Sequence, residues 1–88
     1  MEIPGNIRSF LQEMEQAGFA AYLVGGCVRD MQMGKAPHDW DVTTSARPQQ
    51  VLSRFGGYAI PTGLQHGTVT VLLDGTSAEV TTYRLDGA

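Results

Sequence analysis

Tyr22-Leu23-Val24-Gly25-Gly26-Cys27-Val28-Arg29-Asp30, followed after a loop by Asp39-Trp40-Asp41-Val42-Thr43-Thr44, is the stretch that decides the fold. The run from Phe19 to Val24 is apolar and of strand length, and it breaks at Gly25-Gly26. Two residues without Cβ let the backbone turn sharply. A short helix is expected over about residues 27–33, stopped by Gly34, with Pro37 in the loop beyond. Trp40 to Thr43 then reads as a second strand. Strand alternation puts Asp39 and Asp41 on one face, with Trp40 and Val42 on the other.

Working outward, Ile7, Phe10, Leu11 and Met14 fall at i, i+3, i+4 and i+7, a helical stripe. Pro4 suits its first turn and Gly18 its stop. After the second strand, Pro48 leads a helix through Val51, Leu52 and Phe55, stopped by Gly56-Gly57. Arg47 stands where a side-chain oxygen would normally cap that helix, so its start is expected to be weak. Tyr58-Ala59-Ile60 reads as a short strand. Thr68 to Leu73 and Ser77 to Tyr83 flank the turn Asp74-Gly75-Thr76 as a hairpin. The layout is α-β-α-β-α followed by a hairpin. It predicts an α/β (α+β) fold, a mixed sheet with helices on one face.

At 88 residues, the sequence is one small domain over residues 1–88. No apolar run approaches the roughly 20 residues that span a bilayer, so no membrane partner is expected. The start, Met1-Glu2-Ile3-Pro4, lacks the basic and apolar regions of a secretory signal. Cys27, the one cysteine, cannot close an internal disulfide, which suits a reducing cytoplasm. Net charge is −3, and the six basic residues are scattered. No Lys/Arg stripe supplies phosphate-backbone affinity, so this segment alone should hold a nucleic acid weakly.

The chemistry follows from the bend and the carboxylates. Backbone N–H groups grip a polyphosphate only where no Cβ obstructs the approach, and a helix start adds its positive dipole end. Arg29 could pair with a phosphate through its planar fork. Gly25-Gly26 alone fits a bare strand-to-helix turn with no ligand more readily than a phosphate site. Asp39 and Asp41, roughly 6.5–7 Å apart on an extended chain, could hold a pair of Mg²⁺ ions about 3.5–4 Å apart. Glu79, in Ala78-Glu79-Val80-Thr81, fits either a third carboxylate of this cluster or an outward-facing strand residue. His66 reads as a loop histidine and Cys27 as a small buried residue. His38 beside Asp39 lacks the further helical histidines of a metal phosphohydrolase, and Gly25-Gly26 lacks the G-x-G-x-x-G dinucleotide spacing.

Leu23-Val24-Gly25-Gly26-Cys27-Val28-Arg29-Asp30 and Asp39-Trp40-Asp41-Val42-Thr43-Thr44 resemble the signature of class II tRNA nucleotidyltransferases. These are the CCA-adding enzymes and bacterial poly(A) polymerases of the polymerase-β-like superfamily. Thr62-Gly63-Leu64-Gln65-His66-Gly67-Thr68-Val69-Thr70-Val71 and Glu79-Val80-Thr81-Thr82-Tyr83-Arg84 resemble the next family segments, in order. The resemblance implies a polymerase-β-like palm, or head, in which Asp39 and Asp41 hold two catalytic Mg²⁺ ions. It implies triphosphate binding by Gly25, Gly26 and Arg29, and a catalytic carboxylate at Glu79. Thr44 would support the strand end, Asp30 orient the turn, and Arg84 serve as an ion-pair partner.

The implied activity is template-independent transfer of CMP and AMP from CTP and ATP to the 3′ end of tRNA. The alternatives are a poly(A)-adding head and a non-catalytic nucleotide-binding module. Family members continue beyond the position of Ala88 into neck, body and tail, where bases are selected and tRNA is held. The chain is therefore expected to be a head fragment, with weak nucleotide binding and negligible transfer of its own. Its oligomeric state is left open.

Overall fold

The computed structural model describes residues 3–34 and 39–83, with the backbone alone for residues 26, 27, 31 and 39. The expectations for His38 and Arg84, and for the side chain of Cys27, lie outside the described residues. Helix α1 spans Gly5–Gln16, strand β1 Ala21–Val24, helix α2 Gly26–Gln32, strand β2 Asp39–Thr44 and helix α3 Pro48–Phe55. Strands β3 (Ala59–Gly63), β4 (Thr68–Leu73) and β5 (Thr76–Thr82) follow. Single 3₁₀ turns occupy Gly56–Tyr58 and Leu64–His66.

The strands form one sheet in the order β1-β2-β5-β4-β3. β2 and β5 pair in parallel, whereas β1–β2, β4–β5 and β3–β4 are antiparallel. The mixed sheet is thus as predicted, and the register shows how it divides. Trp40 lies opposite Ala78 and Val42 opposite Val80, while Val69 and Val71 lie opposite Val80 and Ala78 from the other side. All six are buried, together with Ile7, Phe10 and Met14 of α1 and Val51 of α3. One face of the sheet is therefore the core, covered by helices. The alternate positions, Asp41, Thr43, Glu79, Thr81, Thr68 and Thr70, form an uncovered second face.

Local chemistry sets the element ends. At the end of α1, Gly18 takes φ +93°. Its N–H donates to the Glu15 carbonyl, and the Phe19 N–H donates to the Met14 carbonyl, the double bond of a Schellman stop. Phe10 and Phe55 meet with ring centroids 5.0 Å apart, tying α1 to α3. Arg47 makes no side-chain cap on α3, as anticipated. The compensation comes from Gln50, whose Oε1 accepts the Arg47 backbone N–H at 2.8 Å. This is one half of a capping box, satisfying a donor at the helix start.

The region before the hairpin differs from the sequence expectation. Tyr58 belongs to a 3₁₀ turn, and β3 runs on through Pro61 to Gly63. A proline has no N–H for a ladder, but β3 is an edge strand and tolerates one. Its pairing with β4 shifts register between Ile60 and Gly63. Among the described residues, no helix is long and apolar enough to cross a membrane.

Candidate functional site

Strand β1 delivers the chain to Gly25, which takes φ +77°, a conformation that side-chain-bearing residues rarely adopt. The carbonyl of Gly25 accepts from the N–H of Val28 at 3.2 Å and of Arg29 at 3.5 Å, closing the first turn of α2. Arg29 is the exposed fourth residue of this seven-residue helix.

The bend lies directly against β2. Val24 is the register partner of Asp41. A Cβ built on Gly25 would stand 3.0 Å from Asp41 Oδ2 and 3.6 Å from its Cβ and Cγ. Glycine at position 25 is therefore required twice, by its backbone conformation and by the carboxylate packed against it. The sequence reading gave it only the turn and the phosphate approach.

Glu79 is the register neighbour of Asp41 across the parallel β2–β5 pair. Both carboxylates belong to the uncovered face, Asp41 half-buried and Glu79 exposed. Residues far apart in sequence are thereby brought side by side. Asp39 begins β2, paired in register with Ser77. Its carboxylate lies outside the described residues. Among the described residues, no three of His, Cys, Asp and Glu gather as a metal-binding group. Asp41 and Glu79 are thus a pair of described carboxylates, and Asp39 stands two positions from Asp41 along the same strand. Side-by-side carboxylates repel unless a cation lies between them, so the donor set is chemically suited to a hard divalent ion.

Thr44 has the structural task expected of it. It is fully buried, its Oγ1 donates to the Ala20 carbonyl at 2.6 Å and accepts from the Ala46 N–H at 3.1 Å. Ser45 repeats the tie, accepting the Ala20 N–H on its Oγ at 3.0 Å. These bonds anchor the end of β2 opposite the carboxylates to the start of β1. His66 lies in the exposed 3₁₀ turn after β3, away from the Asp41–Glu79 row. Asp30 follows Arg29 in α2 and is half-buried.

Sequence reasoning missed the threonines of the uncovered face. Thr62 Oγ1 lies 2.7 Å from Thr70 Oγ1, and Thr68 Oγ1 lies 2.9 Å from Thr81 Oγ1. Threonine alternates along β4 at positions 68 and 70, but that alternation does not say which neighbouring strand each hydroxyl meets. The site is an open sheet face. A groove of about 510 Å³ between α1, α3 and β4, lined by Phe10, Phe55 and Tyr58, includes neither Asp41 nor Glu79.

Comparison with known proteins agrees with this geometry. The CCA-adding enzyme of Lactobacillus delbrueckii subsp. bulgaricus is 53% identical over 76 residues, 86% of this chain and 19% of that protein. The CCA-adding enzyme of Staphylococcus haemolyticus is 46% identical over 85 residues, 97% of this chain and 21% of that protein. The crystal structure of the Bacillus stearothermophilus CCA-adding enzyme in complex with CTP superposes with a TM-score of 0.83 at 41% identity. That match covers 99% of this chain and 22% of the other. The chain thus spans about a fifth of the length of these relatives. The Poly A polymerase head domain, as a family, matches residues 21–88, from the first strand through the bend, both aspartates and Glu79, and the chain belongs to that family.

Proposed function

We propose that this chain is the head of a template-independent RNA nucleotidyltransferase that adds CMP and AMP from CTP and ATP to the 3′ end of tRNA. The observation that carries the reading is the contact of the Gly25 bend with Asp41, itself in register with Glu79 on an uncovered face. Similarity to CCA-adding enzymes over nearly the whole chain supports the choice of reaction. Two Mg²⁺ ions held by Asp39 and Asp41 would supply Lewis-acid activation and charge neutralisation for in-line phosphoryl transfer.

The chain's own residues then divide the work. Asp39 and Asp41 would hold the cations, and Glu79 would contribute a third carboxylate. Gly25 and Gly26 leave backbone N–H groups approachable by the β- and γ-phosphates, and Arg29 offers a planar fork to the same groups. Catalysis is positioning and charge stabilisation, without a covalent intermediate. Base selection and most of the grip on tRNA belong to regions outside these residues, in keeping with the chain's net charge of −3. The compartment consistent with this role is the cytoplasm.

The test is Mg²⁺-dependent binding of CTP and ATP to the chain by titration calorimetry, with and without Asp39→Asn plus Asp41→Asn. Loss of carboxylates that hold the ions should weaken binding at least tenfold, the least that loss of supporting partners typically costs a metal site. Equal binding by the double variant, with or without Mg²⁺, refutes the assignment. In the intact parent protein, labelled CTP and ATP should enter tRNA lacking its 3′ end. The family's own description admits poly(A) addition as a second reading, which long incorporation of ATP alone would favour. Binding without any incorporation by the parent would favour a nucleotide-binding module.

A further inference from the structure

The two edges of the sheet are defended differently. At one edge, β3 carries Pro61 and a register shift, devices that discourage a further strand from pairing. At the other edge stands β1, Ala21-Tyr22-Leu23-Val24, with neither feature and no charged side chain. Tyr22 is 59% exposed and Val24 38%. A groove of about 460 Å³, lined by Glu15, Gly18 and the chain from Phe19 to Tyr22, borders the start of the strand.

The hydrogen-bond alternation of an antiparallel pair shows which backbone groups face outward. The Ser45 N–H donates to the Ala20 carbonyl at 3.1 Å, so these opposed residues form a bonded pair. In the register of β1 on β2, Tyr22 with Thr43 and Val24 with Asp41 are the next bonded pairs. Ala21 and Leu23 lie opposite Thr44 and Val42 as non-bonded pairs, so their N–H and C=O groups point away from β2. The Thr44 carbonyl agrees, since it accepts from the Tyr83 N–H on the β5 side. Among the described residues no partner takes the outward N–H and C=O groups of Ala21 and Leu23.

These groups are self-complementary. When a second β1 lies antiparallel with the two Tyr22 residues opposed, Ala21 of each copy faces Leu23 of the other. Each such pair exchanges both of its N–H···O=C bonds, so a two-fold axis at Tyr22 satisfies every outward group. The two Tyr22 residues then form a non-hydrogen-bonded pair, the closer kind, with both rings on the uncovered face. Phe19 to Val24 carries no charge that would meet its like across the axis. A foreign strand would cover one bare edge, whereas a second copy covers two at once.

We infer that β1 is a self-association edge, through which two copies of this chain join their sheets about a two-fold axis at Tyr22. The contact is four residues a side, so the dimer is weak and reversible. Neither Asp41 nor Glu79 takes part in it, and its failure would leave the transferase reading untouched.

Sedimentation velocity of the full 88-residue chain over a range of concentrations tests it. The mass should rise from 9.5 kDa towards twice that value. Tyr22→Lys sets like charges directly opposite each other and should weaken association at least tenfold. Tyr22→Phe should preserve it. Tyr58→Lys, at an exposed position before β3, should change nothing. In a Cys27→Ser background, Tyr22→Cys should form a disulfide between copies on mild oxidation, because opposed residues of a non-hydrogen-bonded pair come within bonding range. Tyr58→Cys should not. Amide exchange followed by NMR should show the Ala21 and Leu23 N–H groups gaining protection as concentration rises. Circular dichroism identifies any misfolded variant, and if Tyr22→Lys does not fold, the cross-linking arm carries the test.

A chain that stays at 9.5 kDa up to about 1 mM overturns the inference. So does association that Tyr22→Lys leaves intact or that Tyr58→Lys weakens equally, since another surface would then join the copies. Equal cross-linking of Tyr22→Cys and Tyr58→Cys has the same consequence. Ala21 and Leu23 amides already protected in dilute solution would show the edge covered from within the chain, and would also overturn it.

Discussion

Gly25→Ala is the substitution on which the site geometry makes its sharpest demand. The residue holds φ +77°, and an L side chain in the left-handed region costs roughly 1–2 kcal/mol. The new methyl would also stand 3.0 Å from Asp41 Oδ2, tighter than nine in ten such contacts, so the carboxylate must give by a few tenths of an ångström. Gly75 supplies the matched control, because it has the same φ of +77° and nothing within 4 Å of a built Cβ. Both variants should therefore lose about 1–2 kcal/mol. In a domain of this size that lowers the thermal midpoint by about 4–8 °C per kcal/mol. Only Gly25→Ala should also lose Mn²⁺ affinity, since only it displaces Asp41. The assays are thermal unfolding by circular dichroism and Mn²⁺ titration on the same samples. If Gly25→Ala binds Mn²⁺ as Gly75→Ala does, the contact between bend and carboxylate has no part in cation binding.

Two further substitutions test the frame around the site. Thr44→Val keeps the volume of a fully buried side chain but removes both its bonds, to the Ala20 carbonyl and from the Ala46 N–H. Leaving those groups unpartnered should cost about 1–3 kcal/mol, read as a lower urea midpoint with an unchanged slope. A midpoint equal to that of the parent would mean that the strand end is held elsewhere. Gln50→Ala removes the acceptor of the Arg47 N–H at the start of α3. As one half of a capping box on an exposed helix end, it should cost about 0.5–1 kcal/mol, and Gln50→Glu should recover it. No difference between Gln50→Ala and the parent would show that water serves the Arg47 donor equally well.

Much of this arrangement could be read from local sequence because local forces build it. The bend at Gly25-Gly26, the stop at Gly18 and the Asp74-Gly75 turn each depend on residues within a few positions of one another. The helical stripe of Ile7, Phe10 and Met14 marks the face that the core then covers. The rest depends on pairing at a distance. Pro61 has no N–H for a ladder, and the edge position of β3 is what admits it. The N-cap position shows only that Arg47 lacks an acceptor, whereas the donor is served by Gln50 reaching back from three residues on. Nothing in the order of threonines along two strands reveals that Thr62 meets Thr70 through a register shift.

The position of Glu79 depends most on register. Its neighbour Asp41 is on the only parallel strand pair of the described sheet, reached by a connection through α3, β3 and β4. No local signal fixes such a pairing. The core fixes it: Trp40 with Ala78 and Val42 with Val80 are buried partners on the opposite face. A slip of one residue would turn Ala78 and Val80 outward and push Glu79 beneath the helices. Burying an unpaired carboxylate there would cost several kcal/mol, as would exposing two apolar side chains that now fill the core. The packing that makes the sheet stable therefore also holds the two acids in one row. A small domain needs no separate device to bring them together.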